Sequence, residues 1–530
     1  MIKKYKKIDM RILIISLILG LVYAFCTLFG YHLEEYENVE FSTVKLWFQL
    51  LGMTLLYAIF VCGALFGISK INLKKNKKNG TIKDFWLTAL LIFVIWSPQL
   101  IGVYPGFFNY DADVQWLMYI NYDITAHHPP LHTWLLGTII SLGEKITGSI
   151  HKGTFIFVVL QMLMFAGCFS YVIQYLRNKR MPKWLITFGI GWFAIFPTVV
   201  INVFSVTKDN FFAAFLMVFI VMTLQMLEEP ERYLRDWRFI SGWSVITVLM
   251  VIMRNNAIYI TILFIPLLFI MLRKHWKRML IVIMSTALLY GLYVGVFCAL
   301  VVTDGVKTEE FLSVPVQQMM RVYKEKEEEL SEEEKQDYHN LFGDWAFEYY
   351  HPKISDMVKN NMNMEEFEAN KEKYLSLYCE LGKRYPEVYM NSFLQNTYGF
   401  WYPKAQLILG SDGEEGYFQC ISRGPVGNKS PSMIPFIWDY YQLFSNSSLV
   451  CGDSFSVIFF APATFFWIFL FVSAYLLWKK QRNELIVMAF VLLLWMTYLL
   501  GPVVLVRYVA FLFYMFPLEL TFLIKGNIKK

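Results

Sequence analysis

The 530-residue chain is 56% hydrophobic and only 17% charged, with a mean hydropathy of +0.43, which excludes an ordinary soluble domain. Its net charge of +6 does not mark a nucleic-acid binder, because Lys and Arg cluster in short loops between apolar blocks rather than along one face. Crossing a bilayer takes about twenty apolar residues, and roughly a dozen segments approach that length, so the chain reads as an all-α polytopic membrane protein.

The N-terminus, "MIKKYKKIDMR", is basic and reads as cytoplasmic; no small-residue cleavage site follows, so a retained first helix is expected rather than a signal peptide. A first span, about Arg11 to Gly30, leads to the acidic loop "YHLEEYENVE" outside. A second, about Lys45 to Ile68, returns to the basic "KINLKKNKKNG" and closes an N-terminal unit, residues 1–83. The third span, about Phe85 to Val103, opens a core over residues 84–303 and delivers an external loop, residues 104–150. Within it, "NYDADVQWLMYINYDITAHHPPLHTW" (Asn109 to Trp134) holds an unusual density of ionisable groups.

The stretch His132 to Ile146 is apolar but short and carries Glu144 and Lys145, so it reads as a helix lying in the outer interface. Had it crossed, the basic "RNKRMPK" after the next span (about Thr154 to Leu176) would fall outside. A hairpin follows, about Trp184 to Phe204 and Phe211 to Leu227, turning outside at "SVTKDN". Both flanks of Ser241 to Leu272 are basic, which predicts two short helices turning outside at "MRNNA". After a span from about Met279 to Thr303 comes a mixed-charge segment, residues 304–454, too rich in aromatics for disorder and read as a mainly helical extracytoplasmic subdomain. Its "KEKEEELSEEEKQDY" reads as a solvated helix face, and "NTYGFWYPKAQ" as a stretch suited to the membrane surface. Residues 455–530 supply three more helices. The count is about twelve crossings of the plasma membrane, with both termini cytoplasmic.

Seven cysteines show no metal-ligand spacing. Cys26, Cys62, Cys168 and Cys298 fall in apolar segments as packing residues, while Cys379, Cys420 and Cys451 leave one disulfide open.

On this topology Asp111, Asp113, His127, His128, Lys208, Asp209, Arg254 with Asn255 and Asn256, and Arg507 all lie on the outer side. A charge at membrane depth costs about 2.5–3.5 kcal/mol, so several at one level point to a shared polar cavity rather than to separate snorkelling anchors. Asp111 has no basic neighbour in sequence and suits a base, a metal ligand or an N-cap for "ADVQWLMYI". The prolines after His127 and His128 bar helix and force an extended segment, turning one imidazole back toward the aspartates. A divalent cation, were one used, would draw on Asp111, Asp113 and His128. No other cofactor is indicated.

An aspartate in the first external loop of the core, then a helix, then "HPPL" opening a juxtamembrane helix, resembles the GT-C superfamily of glycosyltransferases, especially its protein mannosyltransferase and lipid A aminoarabinose transferase branches. "RYVAFLFYMFP" (Arg507 to Pro517) and the "TKDN" turn (Thr207 to Asn210) extend the likeness, which implies Tyr508 beside Arg507 at the substrate site. The combination "YPGFFNYD", "HHPPLHT", "SVTKD", "MRNN", "FLSVPVQQ" and "WYP" also resembles a bacterial polytopic family of unassigned function over most of the chain. The chain departs from the GT-C pattern in reading Asp111-Ala112-Asp113 where an acidic pair is common, and in placing two helices ahead of the catalytic loop.

The resemblance implies transfer of a sugar from a polyprenyl-phosphate carrier to an envelope acceptor, whether polysaccharide, teichoic acid, glycolipid or protein, at the outer membrane face. Asp111 is then the expected base, with Asp113 its competitor. Arg507, Arg254 and Lys208 would meet the leaving phosphate, and His127, His128, Asp209 and Asn255 would line the substrate. The rivals are a secondary transporter or lipid-carrier flippase, which would place ionisable groups near the midplane, and a non-catalytic scaffold that binds lipid carriers.

Overall fold

A computed structural model describes residues 9–76, 78–108, 110–305, 308–405, 432–445, 460–526 and 528–529. It is helical almost throughout, with two pairs of two-residue strands: β1 (Leu73–Lys74) with β4 (Ile528–Lys529), and β2 (Phe107–Phe108) with β3 (Ser205–Val206). The helices are α1 (Met10–Tyr36), α2 (Val44–Lys70), α3 (Ile82–Gly102), α4 (Tyr110–Ile120), α5 (Pro130–Thr147), α6 (Ile150–Asn178), α7 (Lys183–Ile195), α8 (Pro197–Phe204), α9 (Lys208–Glu228), α10 (Pro230–Tyr233), α11 (Trp237–Met253), α12 (Asn256–Met271) and α13 (Trp276–Leu292). Helices of the 304–454 segment come next, and then Pro462–Lys479, Arg482–Tyr498 and Ala510–Lys525.

Eight helices among the described residues are long and apolar enough to cross a membrane, and nine if the bent pair of α7 and α8 is one span. The chain is therefore a polytopic helical membrane protein, but the expected twelve crossings are not reached on length and composition. The shortfall comes from α11, α12 and Arg482–Tyr498, at 17, 16 and 17 residues, shorter than the usual span of about twenty. Pro197 makes the 49° break between α7 and α8, because it cannot donate the helical hydrogen bond and its ring crowds the preceding turn. The stretch expected to lie in the interface is α5, which is not among the candidate spans; Gly148, in the left-handed region at φ 69°, turns it back onto α6.

Helix α9 is the axis of the bundle: 94% of its apolar stretch is buried, against 6% for Arg273–Val301, whose side chains face outward along most of its length. A span facing lipid needs no protein partner for its apolar surface, whereas α9 is enclosed by α6, α11 and the last two helices. The final helix runs parallel to α9, and ion pairs join the two at both ends: Arg507, on the short 3-10 turn Val506–Val509 that leads into the final helix, with Asp209, and Lys525 with Glu228. At the Lys525 end, Lys525 also reaches Glu484, and Lys179 lies 2.6 Å from Glu228, which accepts from the Tyr175 hydroxyl at 3.2 Å.

Residues 316–389 of the 304–454 segment are short helices with their own apolar core, built on Met320, Tyr338, Leu341, Phe342, Tyr374 and Leu381, whereas Tyr398, Phe400, Trp401, Tyr402 and Tyr441 pack into the core of the bundle. Lys326 ends one helix of the acidic run, and a capping box between Ser331 and Glu334 starts the next. This subdomain docks on three loops at one end of the bundle. Asn391 pairs with both backbone groups of Val39; Ala126 N–H donates to Asp304 at 2.8 Å; Ser355 N–H donates to Pro502 at 2.9 Å. Cys379 is an exposed free cysteine, and Cys420 and Cys451 lie outside the described residues, as does most of the stretch after Ala405.

Candidate functional site

Two short strands build the site. Strand β2 (Phe107–Phe108), just after α3, pairs in parallel with β3 (Ser205–Val206), just before α9, in the register Phe107 to Ser205 and Phe108 to Val206. That register brings Asp111, three residues beyond β2, beside Lys208, two residues beyond β3. Gly106 makes the approach possible: its φ is +117°, and a Cβ there would lie 2.8 Å from Val158 and 3.1 Å from the Phe204 carbonyl oxygen. Gln161 fixes the β3 side by donating to the carbonyls of Val203 at 2.6 Å and Ser205 at 3.0 Å.

Asp111 sits in the first turn of α4 with both carboxylate oxygens engaged. Lys208 Nζ lies 2.7 Å from Oδ2 and Arg507 Nη2 lies 3.1 Å from Oδ1. Lys208 also contacts His128 Nδ1 at 2.8 Å, which makes that nitrogen an acceptor and the imidazole neutral. Asp209 pairs with Arg254 and, at 3.5 Å, with Arg507 Nε, so one carboxylate ties two guanidiniums. Arg254 lies 4.4 Å from the ring centroids of both Tyr498 and Tyr508, a double cation–π contact. The side chain of Asp209 is 1% exposed, whereas Asp111, Lys208, Arg254 and Arg507 keep between 12% and 16%. The inner carboxylate is sealed, and the other four groups border an accessible space.

The electrostatics follow from this packing. Burial would push the Asp111 carboxyl up, but the cations Arg507 and Lys208 outweigh it and hold the group well below the usual carboxylate range. His128 is pushed well down, first by burial and then by Lys208. Behind it, burial lowers His132 to about 3; its Nδ1 lies 3.1 Å from Gln115 Oε1, and Gln115 donates to Thr133 at 2.9 Å. His127 points another way. Half-exposed, it lies 3.6 Å from Glu310 of the subdomain, which in turn pairs with Lys359 at 3.0 Å.

Of the residues expected from sequence, Asp111, His128, Lys208, Asp209, Arg254, Arg507 and Tyr508 meet in one cluster drawn from separate elements. Asp113, about 200° around α4 from Asp111, directs its carboxylate from another face of that helix. Asn255 is exposed, and its neighbour Asn256 instead donates to Thr497. The proposed metal set does not assemble: no group of three or more His, Cys, Asp or Glu side chains among the described residues is arranged to hold an ion, and Asp111 turns its two oxygens to cations. Asp123, outside the cluster, accepts from the Thr303 hydroxyl at 2.6 Å and anchors the start of the subdomain. Sequence reasoning missed Tyr498, Gln115 and His132. The signal for Tyr498 was its position one turn before the "GP" break, level with Arg507.

Residues 121–525 match the profile of a family of unknown function (DUF6020), and the chain belongs to that family. The matched region holds the cluster's His128, Lys208, Asp209, Arg254 and Arg507 and begins after Asp111. No curated protein and no solved structure matches the chain.

Proposed function

We propose that the protein is a GT-C-type glycosyltransferase that moves a sugar from a polyprenyl-phosphate carrier to an envelope acceptor at the outer face of the membrane. The observation that carries this reading is the convergence of one accessible carboxylate with three accessible or partly accessible cations. Lys208, Arg254 and Arg507 against Asp111 and Asp209 leave a surplus of one positive charge, which suits the single negative charge of a phosphodiester donor. The proposed orientation is supported by the basic segments around Lys179, Arg235, Lys277, Lys480 and Lys525 at the opposite end of the bundle, the side on which the positive-inside rule expects the cytoplasm. Twelve crossings follow if α11, α12 and Arg482–Tyr498 all span as short helices.

In the reaction, the acceptor hydroxyl oxygen bonds to the anomeric carbon and gives its proton to Asp111. The bond from the anomeric carbon to the phosphate oxygen breaks, and its electron pair leaves with the lipid phosphate, whose charge is met by Arg507 and Lys208. Arg254, held by Asp209 and two tyrosines, supports Arg507 from behind. Reconstituted protein given a panel of prenyl-phosphate sugars should transfer label to an envelope extract, and Asp111→Asn should not. Transfer that survives in well-folded Asp111→Asn would sink the assignment.

One observation favours a second reading, a lipid-carrier flippase or transporter. Glu519 is fully buried midway along the final helix, and neither carboxyl oxygen has a hydrogen-bond partner among the described residues. Carrier movement across vesicles by protein that transfers no sugar, lost in Glu519→Gln, would decide for it.

A further inference from the structure

The arrangement of the cations separates those contacts that hold them from those that can be given up. Arg507 is held by an ion pair with the sealed Asp209, Nε lying 3.5 Å from its carboxylate, and by the ring face of Tyr508 at 5.6 Å, and it presents Nη2 to Asp111. Lys208 has a second acceptor in His128 Nδ1 at 2.8 Å. Each therefore stays in place without Asp111, and Arg254 keeps its own place through Asp209 and the two tyrosine faces. Asp111 alone depends on both Lys208 and Arg507. It lies in the first turn of a short helix at the edge of the accessible space, receiving one donor on each oxygen. A carboxylate held in this way presents two acceptor oxygens to two cationic donors, the same pattern that a phosphate group would present.

We propose that Asp111 is a resident occupant of the anion seat, and that a prenyl phosphate displaces it from Lys208 and Arg507 so that the carboxylate becomes a base only when donor is bound. This rests on the reading of the cluster as a lipid-phosphate site. The physical reason is competition for donors. While Asp111 neutralises both cations it is a poor proton acceptor, and its loss of those partners to phosphate restores ordinary carboxylate basicity. The acceptor hydroxyl is then activated only beside a loaded donor, which limits discharge of the carrier in its absence.

The test is binding, without turnover. Full-length protein in nanodiscs of neutral phosphatidylcholine is titrated with farnesyl phosphate, comparing wild type, Asp111→Asn and Asp111→Ala. Removing the competitor should tighten binding by about tenfold or more in both variants. Sodium formate should refill the vacated seat and weaken farnesyl phosphate binding in Asp111→Ala, while wild type stays insensitive. If wild type binds and both variants bind no more tightly, the displacement idea fails and the lipid-phosphate reading stands. If none of the three binds, both fall. Asp111→Asn retains the side-chain shape, and the formate response of Asp111→Ala gives a second readout independent of it.

Discussion

The two ends of the bundle use the same chemistry with different counts. At the far end Lys179, Lys525 and Arg232 face Glu228, Glu484 and Glu229, so three charges of each sign cancel and each cation has a carboxylate within ion-pair distance. At the site end three cations face two carboxylates, and the pairing closes only around the buried Asp209. A balanced cluster is finished once the chain folds, whereas an unbalanced one next to accessible space keeps a charge that the proposed phosphate donor would meet. Tyrosines differ as well. Tyr175 donates to Glu228 as a hydrogen-bond partner, whereas Tyr498 and Tyr508 offer ring faces to Arg254 and leave its charge uncancelled.

Substitutions at the two ends should separate these roles. The largest contrast is in turnover: Asp111→Asn should lower sugar transfer by about 10²–10⁴-fold, the usual worth of a general base, while Glu484→Gln at the far end leaves the rate near wild type. Equal losses at both ends, read as initial rates in vesicles, would erase the distinction. Stability should show the reverse. Glu228→Leu removes the carboxylate that Lys179, Lys525 and Tyr175 share, leaving Lys525 with Glu484 and Lys179 with Glu229, and should cost about 1–3 kcal/mol, measured as a lowered thermal midpoint in mild detergent, with the rate per folded molecule kept. Asp209→Asn should lower both quantities, since it anchors the site in the way Glu228 anchors the far end.

Arg254→Lys keeps the charge but loses the planar group lying over two rings. A loss of about 1 kcal/mol is expected, seen as a several-fold fall in kcat/KM with little change in the thermal midpoint. Acid sensitivity belongs to the site end. His132 is buried neutral with its folded value lowered to about 3, so its contribution is intact above the ordinary imidazole value of about 6.5 and is lost progressively as pH falls toward 3. His132→Gln should flatten that part of a stability-against-pH curve, and an unchanged curve would remove the imidazole from the account. The smallest effect is expected of His127→Gln, below about 1 kcal/mol, because the imidazole is 36% exposed and 3.6 Å from Glu310.

Much of this architecture was legible in the sequence because membrane spans announce themselves by length, and basic loops by sign. The convergence of Asp111, Lys208, Arg254 and Arg507 followed from drawing hairpins and asking which turns share a level. What could not be read is any pairing across long separations. The register of β2 on β3 depends on two residues each, too few for a periodic signal, and that register joins Asp111 to Lys208. Asp113 and Asn255 were grouped with the site by proximity in sequence, but a helix turns neighbours to different faces and exposes one of them. No local signal marks Glu228, Glu484 and Lys525 as partners, since nothing in the sequence shows that three helix ends meet. The crossing count rested on α11 and α12, where a long apolar block divides into two helices each short of a full span.

The parallel pairing of α9 with the final helix makes the molecule its own gauge of bilayer thickness. Nineteen residues separate Asp209 from Glu228, and eighteen separate Arg507 from Lys525 (228 − 209 and 525 − 507). At about 1.5 Å per residue each interval measures roughly 27–29 Å, close to the hydrocarbon depth of a typical membrane. One alanine inserted within either helix would rotate everything beyond it by about 100°, so only one of the two latches could stay closed.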